Sequence, residues 1–179
     1  MTLKERFEKE IKPELQKELG LDNAMSVPTL TKIVLNSGLG EALKDPKVID
    51  LMQDDMTKIA GQKAMITRSK EDISNFNHLK KGDKIGVSVT LRGDKMWSFL
   101  DKLVSVVLPG VRDFRGISRK SFDGAGNYNL GLKQHSVFLE VDQNRIDKPR
   151  GFQITIQSSA KDNDTAYLLL KKIGVPFRD

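Results

Sequence analysis

KIGVSVTLR, Lys84 to Arg92, is the stretch on which the fold turns. Ile85, Val87, Val89 and Leu91 alternate without a break with Gly86, Ser88, Thr90 and Arg92. Successive side chains of an extended chain point to opposite faces, so this pattern predicts a strand with one buried and one polar side. Upstream, Lys32 to Ser37 (KIVLNS) and Lys63 to Lys70 (KAMITRSK) read as two more strands, and Gly151 to Ser159 (GFQITIQSS) alternates again downstream.

Helices fill most of the intervals. Leu3, Phe7, Ile11, Leu15 and Leu19 form one stripe closed by Gly20, and Pro13 is expected to kink or interrupt it, because its ring removes a donor and crowds the preceding turn. Asp45-Pro46 opens a helix with Val48, Ile49, Met52, Met56 and Ile59 inward, ending at Gly61. Asp94 caps a helix with Met96, Phe99, Leu100, Leu103 and Val107 on one side, ended by Leu108-Pro109-Gly110; Trp97 lies off that stripe and is expected half-exposed. A last helix runs from about Asp164 to Ile173, before Gly174. Val111 to Leu132 (VRDFRGISRKSFDGAGNYNLGL) fits neither period and reads as irregular, with four Arg/Lys, three aromatics and four glycines in 22 positions.

This order predicts an α+β fold: a mainly antiparallel sheet with helices packed on one face, a split βαβ, RRM-like or ferredoxin-like arrangement whose other face is open. A single domain over 1–179 is expected, with an N-terminal helical segment (1–24), a βα-ββα part (25–110) and an irregular basic segment followed by a strand and helix (111–179).

The open side collects Lys32 and Asn36, then Lys63 and Thr67, then Ser88, Thr90 and Arg92, then Gln153, Thr155 and Gln157. A sheet that reads single-stranded RNA needs rings for base stacking, and this side has none. Arg150 to Gln157 (RGFQITIQ) matches the opening of an RNA-recognition-motif signature by coincidence, since Phe152 falls on the apolar side. Amides, hydroxyls and spaced cations suit a folded, partly double-helical RNA, whose shallow minor groove offers 2′-hydroxyls and phosphates.

Charge points the same way. The chain carries 30 Lys/Arg and 24 Asp/Glu, a net +6. Residues 1–62 hold nine cations against eleven acids, whereas residues 63–120 hold thirteen against six. A localised positive excess attracts a polyanion, most often nucleic acid.

Several functions are disfavoured. There is no cysteine, so disulfides and thiolate metal sites are excluded. His78 and His135 are the only histidines and are expected to be surface or loop imidazoles. No apolar run approaches the roughly 18 residues of a membrane span, and the start, charged from its fourth residue, is not expected to be a signal peptide. Gly38-Leu39-Gly40 follows a strand as a dinucleotide fingerprint would, but Leu43 stands at the third glycine position, so a tight turn is expected instead. No motif places carboxylates, a nucleophile or metal ligands for catalysis, and neither enzyme activity nor a cofactor is expected. A phosphate-binding enzyme built around Gly38 and Gly40 is the weaker alternative.

With these residues in view, the sequence resembles the bacterial large-subunit ribosomal protein five family. VPTLTKIVLNSGLGEA (27–42), IAGQKAMITRSK (59–70), IGVSVTLRG (85–93), LPGVRDFRGISRKSFDGAGNYNLGL (108–132), DKPRGFQITI (147–156) and GVPFR (174–178) occur in family order along nearly the whole chain. The resemblance implies a structural constituent of the large subunit that binds 5S ribosomal RNA in the central protuberance, a monomer within the cytoplasmic ribosome. It points to Asn36, Gln62 and Thr90 as hydrogen-bonding contacts, with Lys32, Lys63, Thr67, Arg68 and Arg92 as neighbours. Gln62 rests on resemblance alone. It also implies that the loop at 74–82, with Asn75, Phe76, Asn77, His78, Lys80 and Lys81, reaches transfer RNA in the P site. The C-terminal half then meets small-subunit protein thirteen, with Arg112, Arg115, Arg119 and Lys120 as phosphate or partner contacts beside large-subunit RNA. Phe114, Phe122 and Tyr128 are expected to pin the opening of that half to its own core. The chain departs from the family pattern at Thr29 and Ala125, where arginine is common, and at Glu71-Asp72, where the loop start is commonly basic. A stand-alone RNA chaperone or regulator using the same basic face is the main alternative function.

Overall fold

The computed structural model describes residues 1–73 and 78–178. Five strands form an antiparallel sheet in the order β2-β3-β1-β5-β4: β1 (Leu30–Gly38), β2 (Met65–Arg68), β3 (Lys84–Leu91), β4 (Tyr128–Leu132) and β5 (Phe152–Ser158). With the helices packed on it, this is the expected α+β class. β2 is half the length that the sequence suggests, and its pairing with β3 is broken by an irregularity between Thr67 and Arg68. β4 lies inside the stretch expected to be irregular: an edge strand of five residues containing Asn129 and Gly131 gives too little alternation to be seen. Residue contacts divide the chain into two units, Met1–Ile33 with Arg92–Leu130 and Thr155–Asp179 (unit 1), and Val34–Leu91 with Gly131–Ile154 (unit 2).

In unit 2, helix α3 (Lys47–Ala60) packs on β3. The Asp45 carboxylate accepts the Lys47 N–H at 3.1 Å, and Gly61 closes the helix at φ 63°. Ile49, Met56, Val87 and Leu91 are fully buried between them. Gly86 is required by close approach, since a Cβ there would lie 2.7 Å from the Ser37 carbonyl and 2.8 Å from Thr67 Oγ1.

Unit 1 contains the first helical run, α1 (Leu3–Arg6), a π turn (Phe7–Ile11) and α2 (Lys12–Glu18). Pro13 therefore does not break the helix. The Lys12 N–H bonds to the Phe7 carbonyl five residues back, and this widened turn accommodates the ring. The same device precedes Pro109, where α4 (Gly93–Lys102) continues through a π turn (Leu103–Val107) into α5 (Leu108–Gly110), with the Leu108 N–H on the Leu103 carbonyl. Trp97 is buried rather than half-exposed, because its ring lies 4.9 Å from Phe7 of the first helical run. The last helix, α6 (Asn163–Ile173), is capped by the Asp162 carboxylate and ends at Gly174 in the left-handed region.

Candidate nucleic-acid interface

The β2–β3 register sets the face. Met65 opposes Ser88, Ile66 opposes Val87, and Thr67 opposes Gly86. Directly opposed residues share a side of the sheet, and Val87 is fully buried. Ile66 and Val87 thus point to the core. Met65, Thr67, Gly86, Ser88 and, by alternation, Thr90 point away from it. On β1, Leu35 is buried and Asn36 exposed. The neutral hydrogen-bonding groups at Asn36, Thr67 and Thr90 therefore lie on strands of unit 2 with their core-facing neighbours turned inward.

Gln62 reaches the backbone of the same strand by a route that alternation does not reveal. It precedes β2, and its side-chain Nε2 donates to the Thr90 carbonyl at 3.0 Å. Lys63 is exposed. Arg68 is exposed too, and its Nη1 donates to the Gly82 carbonyl at 3.0 Å, tying the base of the β2–β3 hairpin. Lys32 is half-buried and Arg92 exposed, and both fall in unit 1. One expectation needs correcting. The side is not purely polar, because Met65 stands on it at 67% exposure, between Lys63 and Thr67 in sequence.

Beyond β2 the hairpin is held by backbone bonds from Gly82 N–H to the Ser69 carbonyl and from Ile73 N–H to the Leu79 carbonyl, both 2.9 Å. Asp72 accepts the Lys81 N–H at 2.7 Å and Asp83 the Lys80 N–H at 2.8 Å. These acids satisfy backbone donors, while the side chains of Lys80 and Lys81 are exposed and form no ion pair among the described residues. His78 is exposed at φ 53°. Asn75, Phe76 and Asn77 lie outside the described residues.

In unit 1 the basic segment is anchored by its aromatics. The Phe122 and Tyr128 rings meet edge-on at 4.8 Å, Phe177 lies 5.7 Å from Tyr128, and the Tyr128 hydroxyl donates to the Ser118 carbonyl at 2.8 Å. Burial pushes the Tyr128 phenol above its ordinary pKa. Gly116 runs against the C-terminal strand-like end, where a Cβ would meet Arg178 N at 2.6 Å. Arg119 is not a free cation, since it pairs with Asp164 at 2.7 Å and lies over the Tyr167 ring at 4.4 Å. Arg112, Arg115 and Lys120 are exposed.

Sequence reasoning missed a polar cluster in unit 2. Arg150 is 8% exposed; its Nε donates to Glu41 at 2.6 Å and its two terminal nitrogens to Asp147 at 2.8 and 3.0 Å. The guanidinium holds both carboxyls below their ordinary pKa, with Lys148 adding to the effect at Glu41. His135 is not a surface imidazole. It is 1% exposed, its Nδ1 accepts the Arg150 N–H at 3.1 Å, and its Nε2 lies 3.5 Å from Asp55. The only hint in the sequence was an aspartate three residues before the arginine in DKPRG.

The Gly38–Gly40 region forms a turn. Leu39 is buried with its N–H on the Ile85 carbonyl at 2.7 Å, and a short 3-10 turn (Gly40–Leu43) follows. No group of His, Asp or Glu among the described residues is placed to hold a metal ion.

The family model described as Ribosomal protein L5 matches residues 23–78, and the companion model for the C-terminus of the same ribosomal family matches residues 84–177. The large ribosomal subunit protein uL5 of Acidobacterium capsulatum is 54% identical over 176 residues, covering 98% of this chain and 96% of that protein. Those of Roseiflexus castenholzii and Chloroflexus aurantiacus are 50% and 49% identical over 177 and 179 residues, covering 99% and 100% of this chain and 98% and 99% of theirs. Matches of this extent, over both family models and nearly end to end, leave one conclusion: the chain belongs to the ribosomal protein L5 family.

Proposed function

We propose that the chain is a structural, non-catalytic constituent of the large ribosomal subunit in the cytoplasm and that it holds 5S ribosomal RNA on the open face of unit 2. The observation carrying this is the presence of Asn36, Thr67 and Thr90 on the side turned from the core, beside the exposed cations Lys63 and Arg68, with the Gln62 amide bonded to the backbone at residue 90. Amides and hydroxyls fix RNA by its 2′-hydroxyls and base edges, and cations by its phosphates. Lys32 and Arg92 belong to unit 1 and are proposed as RNA contacts there. The hairpin around His78, Lys80 and Lys81 is the part that meets P-site transfer RNA, and Arg112, Arg115 and Lys120 face ribosomal neighbours, including small-subunit protein thirteen.

Recovery of bound RNA from a cell lysate tests the proposal. The protein should bring down 5S RNA and whole large subunits, and co-sediment with the latter. With about two phosphates neutralised by Lys63 and Arg68, affinity for 5S RNA should fall roughly tenfold from about 50 to 200 mM salt. Recovery of assorted structured RNAs without subunits would favour the stand-alone chaperone instead, and a flat salt profile would contradict both.

A further inference from the structure

We propose that Met65 is the apolar contact of this face and packs against the base and ribose of an unpaired RNA nucleotide; the inference rests on reading the face as an RNA-binding surface. Among the described residues, Met65 is the exposed large hydrophobic that lies in a named strand. Its surroundings cannot cover it. Ser88 stands opposite, Thr67 lies two residues along on the same side, and Gly86 and Thr90 occupy the diagonal positions. All four are short, so the thioether stands up as a post above a low polar floor.

The charge around the post argues for the kind of partner. β1, β2 and β3 contain no aspartate or glutamate, and the nearest charges in sequence are Lys63 and Arg68, both exposed. A neighbour drawn here is therefore a polyanion, yet the post itself asks for an apolar surface. Within an RNA duplex the faces of the bases are hidden in the stack, whereas a loop or bulge nucleotide exposes one. A thioether is flexible and polarisable and makes favourable contacts with aromatic rings. Sugar and base of such a nucleotide satisfy both requirements, with its phosphates left to the flanking cations.

Binding of 5S RNA should be measured for wild type, Met65→Ala, Met65→Leu and the Asn36→Ala/Thr90→Ala pair, across a salt series. Met65→Ala should bind roughly tenfold more weakly, from the apolar surface it no longer covers. Met65→Leu, of similar volume, should stay within about threefold of wild type. The slope of affinity against salt should be unchanged in both, since no phosphate contact is lost. On an uninterrupted RNA duplex, Met65→Ala and wild type should bind alike. If Met65→Ala matches wild type on 5S RNA while the Asn36/Thr90 pair has lost binding, the inference falls and the face stands. An equal loss on the uninterrupted duplex, or a changed salt slope, overturns it as well. If the Asn36/Thr90 pair binds like wild type, the reading of the face fails first and the inference with it.

Discussion

Replacing Asn36 and Thr90 together by alanine is expected to weaken binding to 5S ribosomal RNA about 100-fold at fixed salt. Each substitution removes one hydrogen-bonding group and leaves its RNA partner unsatisfied, at a cost of about 1.4 kcal/mol, or tenfold. The fold should not suffer. Asn36 is exposed, and the Gln62 amide bonds to the backbone carbonyl of residue 90, which alanine keeps. Melting temperature should therefore be unchanged, and so should the salt slope, because neither residue is a cation. A filter-binding titration checks the affinity. A loss below about threefold, or one accompanied by partial unfolding, would contradict the role given to these two residues.

Arg150→Met is expected to do the opposite: leave the RNA face chemically intact and destabilise the protein by about 2 kcal/mol. The guanidinium is nearly fully buried and bridges Glu41, 109 residues away in sequence, to Asp147. Glu41 and Asp147 are partly exposed, so water takes over much of their compensation once the cation is gone, and the loss is that of the charge-assisted hydrogen bonds Arg150 donates. For a chain of this size the melting temperature should drop by about 6 °C. The effect should depend on pH in one direction only. Both carboxyls sit below their ordinary values of 4.5 and 3.8 in the folded state, so their contribution is complete above those values and is lost as pH falls through the folded ones. The gap between wild type and Arg150→Met should thus be constant above about pH 5 and narrow toward about pH 3. Urea denaturation at both pH values measures it. An equal gap at the two would show that packing, not the ionic cluster, accounts for the loss.

These two predictions rest on parts of the molecule that were unequally legible in the sequence. β3 was readable because Ile85, Val87, Val89 and Leu91 record a strict local period, and α3 because its buried stripe repeats every three or four residues. Asn36, Thr67 and Thr90 followed from the same period. Met65 shares the parity of Lys63 and Thr67, but its apolar side chain gives no polar signal on that side. Burial of Trp97 depends on Phe7, ninety positions earlier, which no helical wheel records. His135 and Arg150 are harder still. A buried polar group is tolerated only where distant partners arrive to satisfy it, and the arrival of Asp55 and Glu41 is a property of the tertiary fold. Pro13 and Pro109 signalled helix breaks by local rule, yet a π turn before each one relieves the crowding.

On the proposed function, RNA touches one side of the sheet in unit 2. Ultraviolet cross-linking of the protein to 5S ribosomal RNA, with the linked peptides identified by mass spectrometry, tests it most directly. Linked peptides should come from residues 34–38, 62–68 and 84–91. Cross-links confined to helices α1, α2 and α6, with those three segments free, would contradict it.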